Sequence, residues 1–102
     1  MHERKSKMTE LADGFVALPG GSGTLEEWFE VFTWSQLGYH QKPCGILNVN
    51  NFFDPLISML NHTIKEGFMN KNYLEMVFIS SDPRELLHKM DSYSPSHSIK
   101  WA

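Results

Sequence analysis

Phe15-Val16-Ala17-Leu18-Pro19-Gly20-Gly21-Ser22-Gly23-Thr24-Leu25-Glu26-Glu27 is the stretch around which the chain is organised. The apolar run Phe15 to Leu18 reads as a short buried strand, and an amphipathic helix follows the glycines. Gly20, Gly21 and Gly23 let the backbone between them turn sharply and come close to a ligand. A glycine turn that opens a helix presents unpaired N–H groups and the positive end of the helix dipole, and phosphate binds there. The same residues carry a second reading that needs no ligand: Thr24 and Glu27 are spaced as a capping box. No Gly-Lys-Ser/Thr follows, so the loop is not a Walker A. Gly-Gly-x-Gly also differs from the dinucleotide fingerprint G-x-G-x-x-G.

Downstream, Leu25, Trp28, Phe29 and Phe32 recur at i, i+3, i+4 and i+7, so a helix over 24–37 turns them toward a core. Glu26, Glu27, Glu30 and Thr33 fall largely on other faces. Such a run is ordinarily a solvated face, and beside the glycine loop it is equally a polar wall. Trp34 makes the helix unusually apolar and points to a second buried face, against another subunit.

Upstream, residues 1–12 read as a helix with Met1, Met8, Leu11 and Ala12 on one stripe and Asp13-Gly14 as its stop. Arg4 lies near the N-terminal end of that stripe, where a charge is usually a solvated flank. Beyond the central stretch, Cys44-Gly45-Ile46-Leu47-Asn48-Val49 reads as the next strand. Asp54-Pro55 then supplies an N-cap with proline at N1 for a helix running to about Glu66. Met76-Val77-Phe78-Ile79 is a third strand, and Asp82-Pro83 repeats the cap before a helix lined by Leu86, Leu87 and Met90. The tail from Asp91 to Ala102 is serine-rich and is expected to be loose, with Ile99 and Trp101 as the residues able to dock. A helix followed by three strand–helix units gives an α/β class with a parallel sheet. Ligands in such sheets bind at the carboxyl ends of the strands, where Pro19 to Thr24 lie.

The totals exclude several classes. A chain of 102 residues makes one small domain, and 41% hydrophobic with 21% charged residues is ordinary for a globular protein. A formal charge of −3 argues against a nucleic-acid polymer or an anionic membrane as the main partner, and leaves room for a small phosphate ligand. Cys44 is the one cysteine, so no internal disulfide forms and a reducing cytoplasm is the simplest compartment. No signal peptide or membrane-spanning run is visible. The histidines make no H-x-x-x-H pair or Cys/His cluster, so no metal is expected. Cys44 reads as a small buried residue rather than a nucleophile, and there is no G-x-S-x-G elbow.

Arg4-Lys5 with Met8, and Pro19-Gly20-Gly21-Ser22-Gly23-Thr24-Leu25-Glu26-Glu27, resemble the R-K-x-x-M and P-G-G-x-G-T-x-x-E signature of the Lonely Guy family. Trp34-Ser35-Gln36-Leu37-Gly38, Gln41-Lys42-Pro43 and Phe53-Asp54-Pro55-Leu56 are similar to family sequence as well, and the resemblance covers residues 1 to about 90. These are cytokinin riboside 5′-monophosphate phosphoribohydrolases, often labelled lysine decarboxylases. The resemblance implies a Rossmann-like parallel sheet with flanking helices, three strands of which fall in this chain, and a homodimer. It implies hydrolysis of a nucleoside 5′-monophosphate, AMP or an N6-isopentenyl-AMP-like nucleotide, to free base and ribose 5-phosphate, with no cofactor. Arg4 and Glu27 take catalytic roles in that reading. Substrate contacts come from Lys5, from Gly20, Gly21, Ser22, Gly23 and Thr24, and from Glu26 and Thr33. Pyridoxal phosphate chemistry is not supported, because no Schiff-base lysine with a supporting site stands out.

Met1 aligns with an internal methionine of the family, so the chain resembles the C-terminal half of such an enzyme. The Phe15–Leu18 strand is then expected to leave one edge open and to recruit other chains. Gly23 is expected to admit no side chain, because of its backbone angle or its approach to phosphate. Two rival readings stand beside the enzyme: a ligand carrier resembling the molybdenum-cofactor carrier proteins, and an inactive fragment that associates with other chains.

Overall fold

The computed structural model describes residues 13–37, 42–93 and, for the backbone alone, 99–101. Four strands are formed: β1 (Gly14–Ala17), β2 (Cys44–Leu47), β3 (Val77–Ser80) and β4 (Ile99–Trp101). Helix α1 (Ser22–Gln36) follows β1, α2 (Asp54–Lys65) follows β2, and α3 (Pro83–Tyr93) follows β3. Short 3-10 turns occupy Val49–Asn51 and Lys71–Met76. The sheet order is β3-β2-β1-β4, with every pair parallel. This is the α/β, Rossmann-like parallel arrangement expected from the alternation of strands and helices.

The period-2 alternation of the strands divides the interior into two layers. Phe15, Ala17, Cys44 and Ile46 face one side, where they meet Trp28, Val31 and Phe32 of α1 with Phe53 and Leu60 at and within α2. Val16 and Leu47 face the other side and meet Leu86 and Met90 of α3. Both faces are therefore covered, as a parallel sheet requires. Trp28 stacks on Phe32 at 5.0 Å and donates its indole N–H to the Gly45 carbonyl at 3.1 Å, tying α1 to β2. On the opposite face a Cβ at Gly45 would stand 2.8 Å from Met90 Sδ and 3.2 Å from Val16 Cγ2. The missing side chain is what lets α3 lie close on the sheet.

Three expectations need correction. The fourth strand comes from the tail that was expected to be loose: Ile99, Lys100 and Trp101 pair with Gly14, Phe15 and Val16. The second edge of β1 is consequently hydrogen-bonded rather than open, because β4 lies on one side of it and β2 on the other. The α2 cap also differs: Asp54 is the first residue of that helix, Phe53 is its N-cap, and Pro55 takes the second position. Asp82-Pro83, by contrast, caps and opens α3 as read from the sequence, with Asp82 Oδ1 accepting from the Arg84 N–H at 3.0 Å. The helix expected over residues 1–12, with Arg4, Lys5 and Met8, lies outside the described residues.

Candidate functional site

Parallel strands place the three strand-to-helix turns at one end of the sheet, and their capping separates them. The turn into α1 has Gly21 as N-cap in extended backbone, with no side-chain cap and no acidic residue in the first turn. The first bond of the helix runs from the Leu25 N–H to the Gly21 carbonyl at 3.3 Å. The N–H groups of Ser22, Gly23 and Thr24 thus come before the helix's own hydrogen-bonding pattern, at the positive end of its dipole. Pro19, Gly20, Gly21, Ser22 and Gly23 are all exposed. The capping box read from Thr24 and Glu27 is not formed, because Thr24 lies inside the helix as its third residue.

Thr24 has a different local role. A Cβ on Gly20 would stand 2.5 Å from Thr24 Oγ1, so Gly20 gives the threonine hydroxyl its place above the loop. Of the two reasons expected for Gly23, the backbone one does not hold: it lacks a positive φ, and a Cβ there would meet nothing within 4 Å. The fold itself does not demand glycine at 23.

The turn into α2 is closed on itself. Asn48 Oδ1 accepts from the Phe53 N–H at 2.7 Å, and Asn48 Nδ2 donates to Asp54 Oδ1 at 2.8 Å. Asn50 and Asn51 reach φ 51° and 59° between them, the left-handed region that asparagine tolerates better than most residues. At the turn into α3, the Asp82 N–H donates to Ser80 Oγ at 3.1 Å while the Asp82 carboxylate caps the helix. The sequence reading missed the Asn48 turn; the signal was Asn50-Asn51, a pair suited to positive φ.

Glu26 and Glu27 stand on the second turn of α1, above the glycine loop. Glu26 is exposed and Glu27 half-buried. Further along, Glu26, Phe29, Glu30, Thr33 and Trp34 line an open groove of about 350 Å³. The structure thereby brings Gly20, Gly21, Ser22, Gly23, Thr24, Glu26, Glu27 and Thr33 onto one loop and helix. Arg4 and Lys5 lie outside the described residues. Phe29 is a groove residue that the sequence reading assigned to the core, and it does both, half-buried with its ring edge-on to Trp28 at 5.3 Å.

Cys44 lies at the start of β2 and is fully enclosed. Burial pushes its thiol up from 9.0 to about 12, so it stays protonated at neutral pH and packs as a small apolar side chain. No helix of the described residues is long and apolar enough to cross a membrane.

A family model described as "Possible lysine decarboxylase" matches residues 1–90. The chain belongs to this family. It is 43% identical over 106 residues to the probable cytokinin riboside 5′-monophosphate phosphoribohydrolase LOGL2 of Oryza sativa subsp. japonica, covering 99% of this chain and 43% of that protein. It is 46% identical over 99 residues to the cytokinin riboside 5′-monophosphate phosphoribohydrolase LOG of the same organism, covering 97% of this chain and 41% of that protein. Against LOG4 of Arabidopsis thaliana, which carries the same activity in its name, identity is 45% over 97 residues, 95% of this chain and 45% of that protein. The likeness read from Arg4-Lys5 and from Pro19 to Glu27 therefore holds at the level of family. The chain spans less than half the length of these curated relatives.

Proposed function

We propose that the chain serves hydrolysis of the N-glycosidic bond of an adenosine 5′-monophosphate carrying an N6 substituent, giving free base and ribose 5-phosphate. The observation that carries this is the N-terminus of α1, uncapped by any side chain of its N-cap and followed one turn later by carboxylates. Family membership and the printed activities of the relatives support it.

In this reading the N–H groups from Gly21 to Thr24 hold the 5′-phosphate. Glu27 stands five residues above Ser22, about 7 Å along the helix axis, where the ribose follows the phosphate. As the C1′–N bond breaks, its electron pair leaves with the base and positive charge builds on the ribose. The Glu27 carboxylate stabilises that charge and orients the water that forms the new C1′–O bond, the need that carboxylates meet in glycosidases. A proton from that water ends on the base. Arg4 belongs to the same reaction, holding phosphate or ribose oxygens or offsetting charge on the departing base, and Lys5, Glu26 and Thr33 contact substrate. No cofactor or metal enters this reading.

The test is incubation with AMP and with N6-isopentenyl-AMP, with released base measured by chromatography. Glu27→Gln is expected to lower turnover by at least a hundredfold, the scale of a lost acid–base group. A Glu27→Gln protein with full turnover would rule the assignment out.

A nucleotide-binding role without turnover is the second reading, since backbone N–H groups at the start of α1 hold an anion whether or not a bond is then cleaved. Tight nucleotide binding with no base released would select it. We also propose a homodimer in a reducing cytoplasm. Phe52, Met59 and Phe68 expose 50%, 59% and 86% of their surface, apolar area that a second copy would cover. Sedimentation giving a monomer mass throughout the micromolar range would remove the dimer.

A further inference from the structure

The order β3-β2-β1-β4 makes β3 an end strand among the described residues, and an end strand presents backbone groups to whatever lies beside it. β1 and β2 are buried throughout, whereas Val77, Phe78 and Ile79 of β3 are half-buried. We propose that Lys89, held by Glu85, closes this edge against pairing with β3 of a second copy of the chain. The inference is independent of the nucleotide reading, since none of these residues enters the candidate site.

The first argument is which groups face outward. The Ser80 carbonyl accepts from the Asn48 N–H at 2.8 Å, so Ser80 faces β2. Successive residues of a strand turn their peptide groups to opposite edges, so Val77 and Ile79 face away from β2. The Val77 N–H is already bonded to the Leu74 carbonyl of the preceding 3-10 turn. The Ile79 carbonyl accepts from Lys89 Nζ at 3.2 Å. Backbone thus closes the start of the edge, and a side chain from α3 closes its end.

What a strand would gain there is the second argument. Ile57, Leu60, Asn61, Leu74, Val77 and Ile79, all but one of them apolar, line a slot of about 130 Å³ beside β3. A strand added to this edge would form ladder bonds and seat an apolar side chain in the slot. A second copy brings the same edge, and two identical edges pair about a two-fold axis. The attraction is built into the fold, so something must oppose it.

Lys89 supplies the opposition. Its ammonium pairs with Glu85 Oε1 at 3.1 Å, one helical turn away, and both side chains remain partly exposed to water. A strand laid beside β3 would compete with the ammonium for the Ile79 carbonyl and strip it of water. Burying a charge without a new partner is costly, and the strand itself, Val77 to Ser80, brings no carboxylate. An i,i+4 pair on a helix surface adds little to stability, so the worth of this one lies in where it sets the ammonium.

Sedimentation velocity across the micromolar range, combined with amide hydrogen exchange, tests this. Lys89→Ala is expected to reach about twice the mass of the parent chain or more, as pairing of two edges requires. In the associated form the outward Ile79 amide is expected to exchange about tenfold more slowly. Lys89→Arg keeps a cation and is expected to sediment as the parent does. Lys89→Met keeps the unbranched stem without the charge and carries the alanine expectation if that variant melts early. A folded Lys89→Ala or Lys89→Met protein with the parent's mass overturns the proposal. So does a gain of mass in which Ile79 exchanges as in the parent, because the copies would then meet elsewhere. A parent chain whose own Ile79 amide slows as concentration rises overturns it too, since the edge would be open with Lys89 in place.

Discussion

The turns that follow β1 and β2 lie side by side at the carboxyl end of the sheet and meet the same requirement in opposite ways. Each must carry the chain from a buried strand into a helix whose first N–H groups have no partner within the helix. After β2 the chain supplies its own partners. Asn48 bonds both the Phe53 N–H and Asp54, and two asparagines take the positive φ values that the turn demands. After β1 the chain supplies three glycines and an N-cap with no side chain, and the N–H groups of Ser22, Gly23 and Thr24 are left at an exposed helix end. A turn that satisfies itself is a structural device. One that withholds its own cap is where the proposed function seats the 5′-phosphate, with the carboxylates of α1 one turn above it.

The largest expected effect that separates the two turns is at Gly23. A methyl group there meets no protein atom within 4 Å, and alanine suits a helix better than glycine. Gly23→Ala is therefore expected to melt at the same temperature as the parent or higher, while binding AMP about a hundredfold more weakly because the methyl group stands where the phosphate approaches. Equal affinity in calorimetry would break the contrast, since the glycine turn would then be no more open to ligand than its neighbour.

The converse change is at Asn48. Asn48→Ala removes both side-chain bonds of the second turn and leaves the Phe53 N–H without its acceptor. It is expected to cost about 2 kcal/mol of stability, within the range for deleting a partner of a part-buried group, with AMP affinity kept within twofold. Chemical denaturation and the same titration check this. A large loss of affinity with no loss of stability would mean that the Asn48 turn belongs to the ligand site and that the two turns are not functionally distinct.

Much of this contrast can be read in the residues themselves. The apolar runs at Phe15, Cys44 and Val77, spaced by amphipathic segments, are enough for a parallel α/β sheet, and Asp82-Pro83 announces a cap that is in fact made. Pro19 to Glu27 marks the loop and the helix above it. Capping at the other two turns was not legible, for a physical reason. Whether a threonine or aspartate caps depends on where the helix begins: a shift of three residues moves Thr24 from the cap to the third helical position, and a shift of one moves Asp54 to the first. The fourth strand was hidden because Ile99, Lys100 and Trp101 follow a serine-rich run without periodicity; their pairing with Gly14 to Val16 is set by the edge of β1, a tertiary partner far away in sequence. Gly23 points the other way. Its type was legible, but whether glycine served backbone, packing or ligand could be decided only once its surroundings were known.

Backbone amide chemical shifts on titration with AMP test the central claim most directly, because they report on all three strand-to-helix turns in one experiment. The amides of Ser22, Gly23 and Thr24 are expected to move together and to saturate with one dissociation constant, while those of Phe53 and Arg84, already bonded to Asn48 and Asp82, stay in place. Saturable shifts centred on Phe53 or Arg84, with Ser22, Gly23 and Thr24 unmoved, would contradict the account.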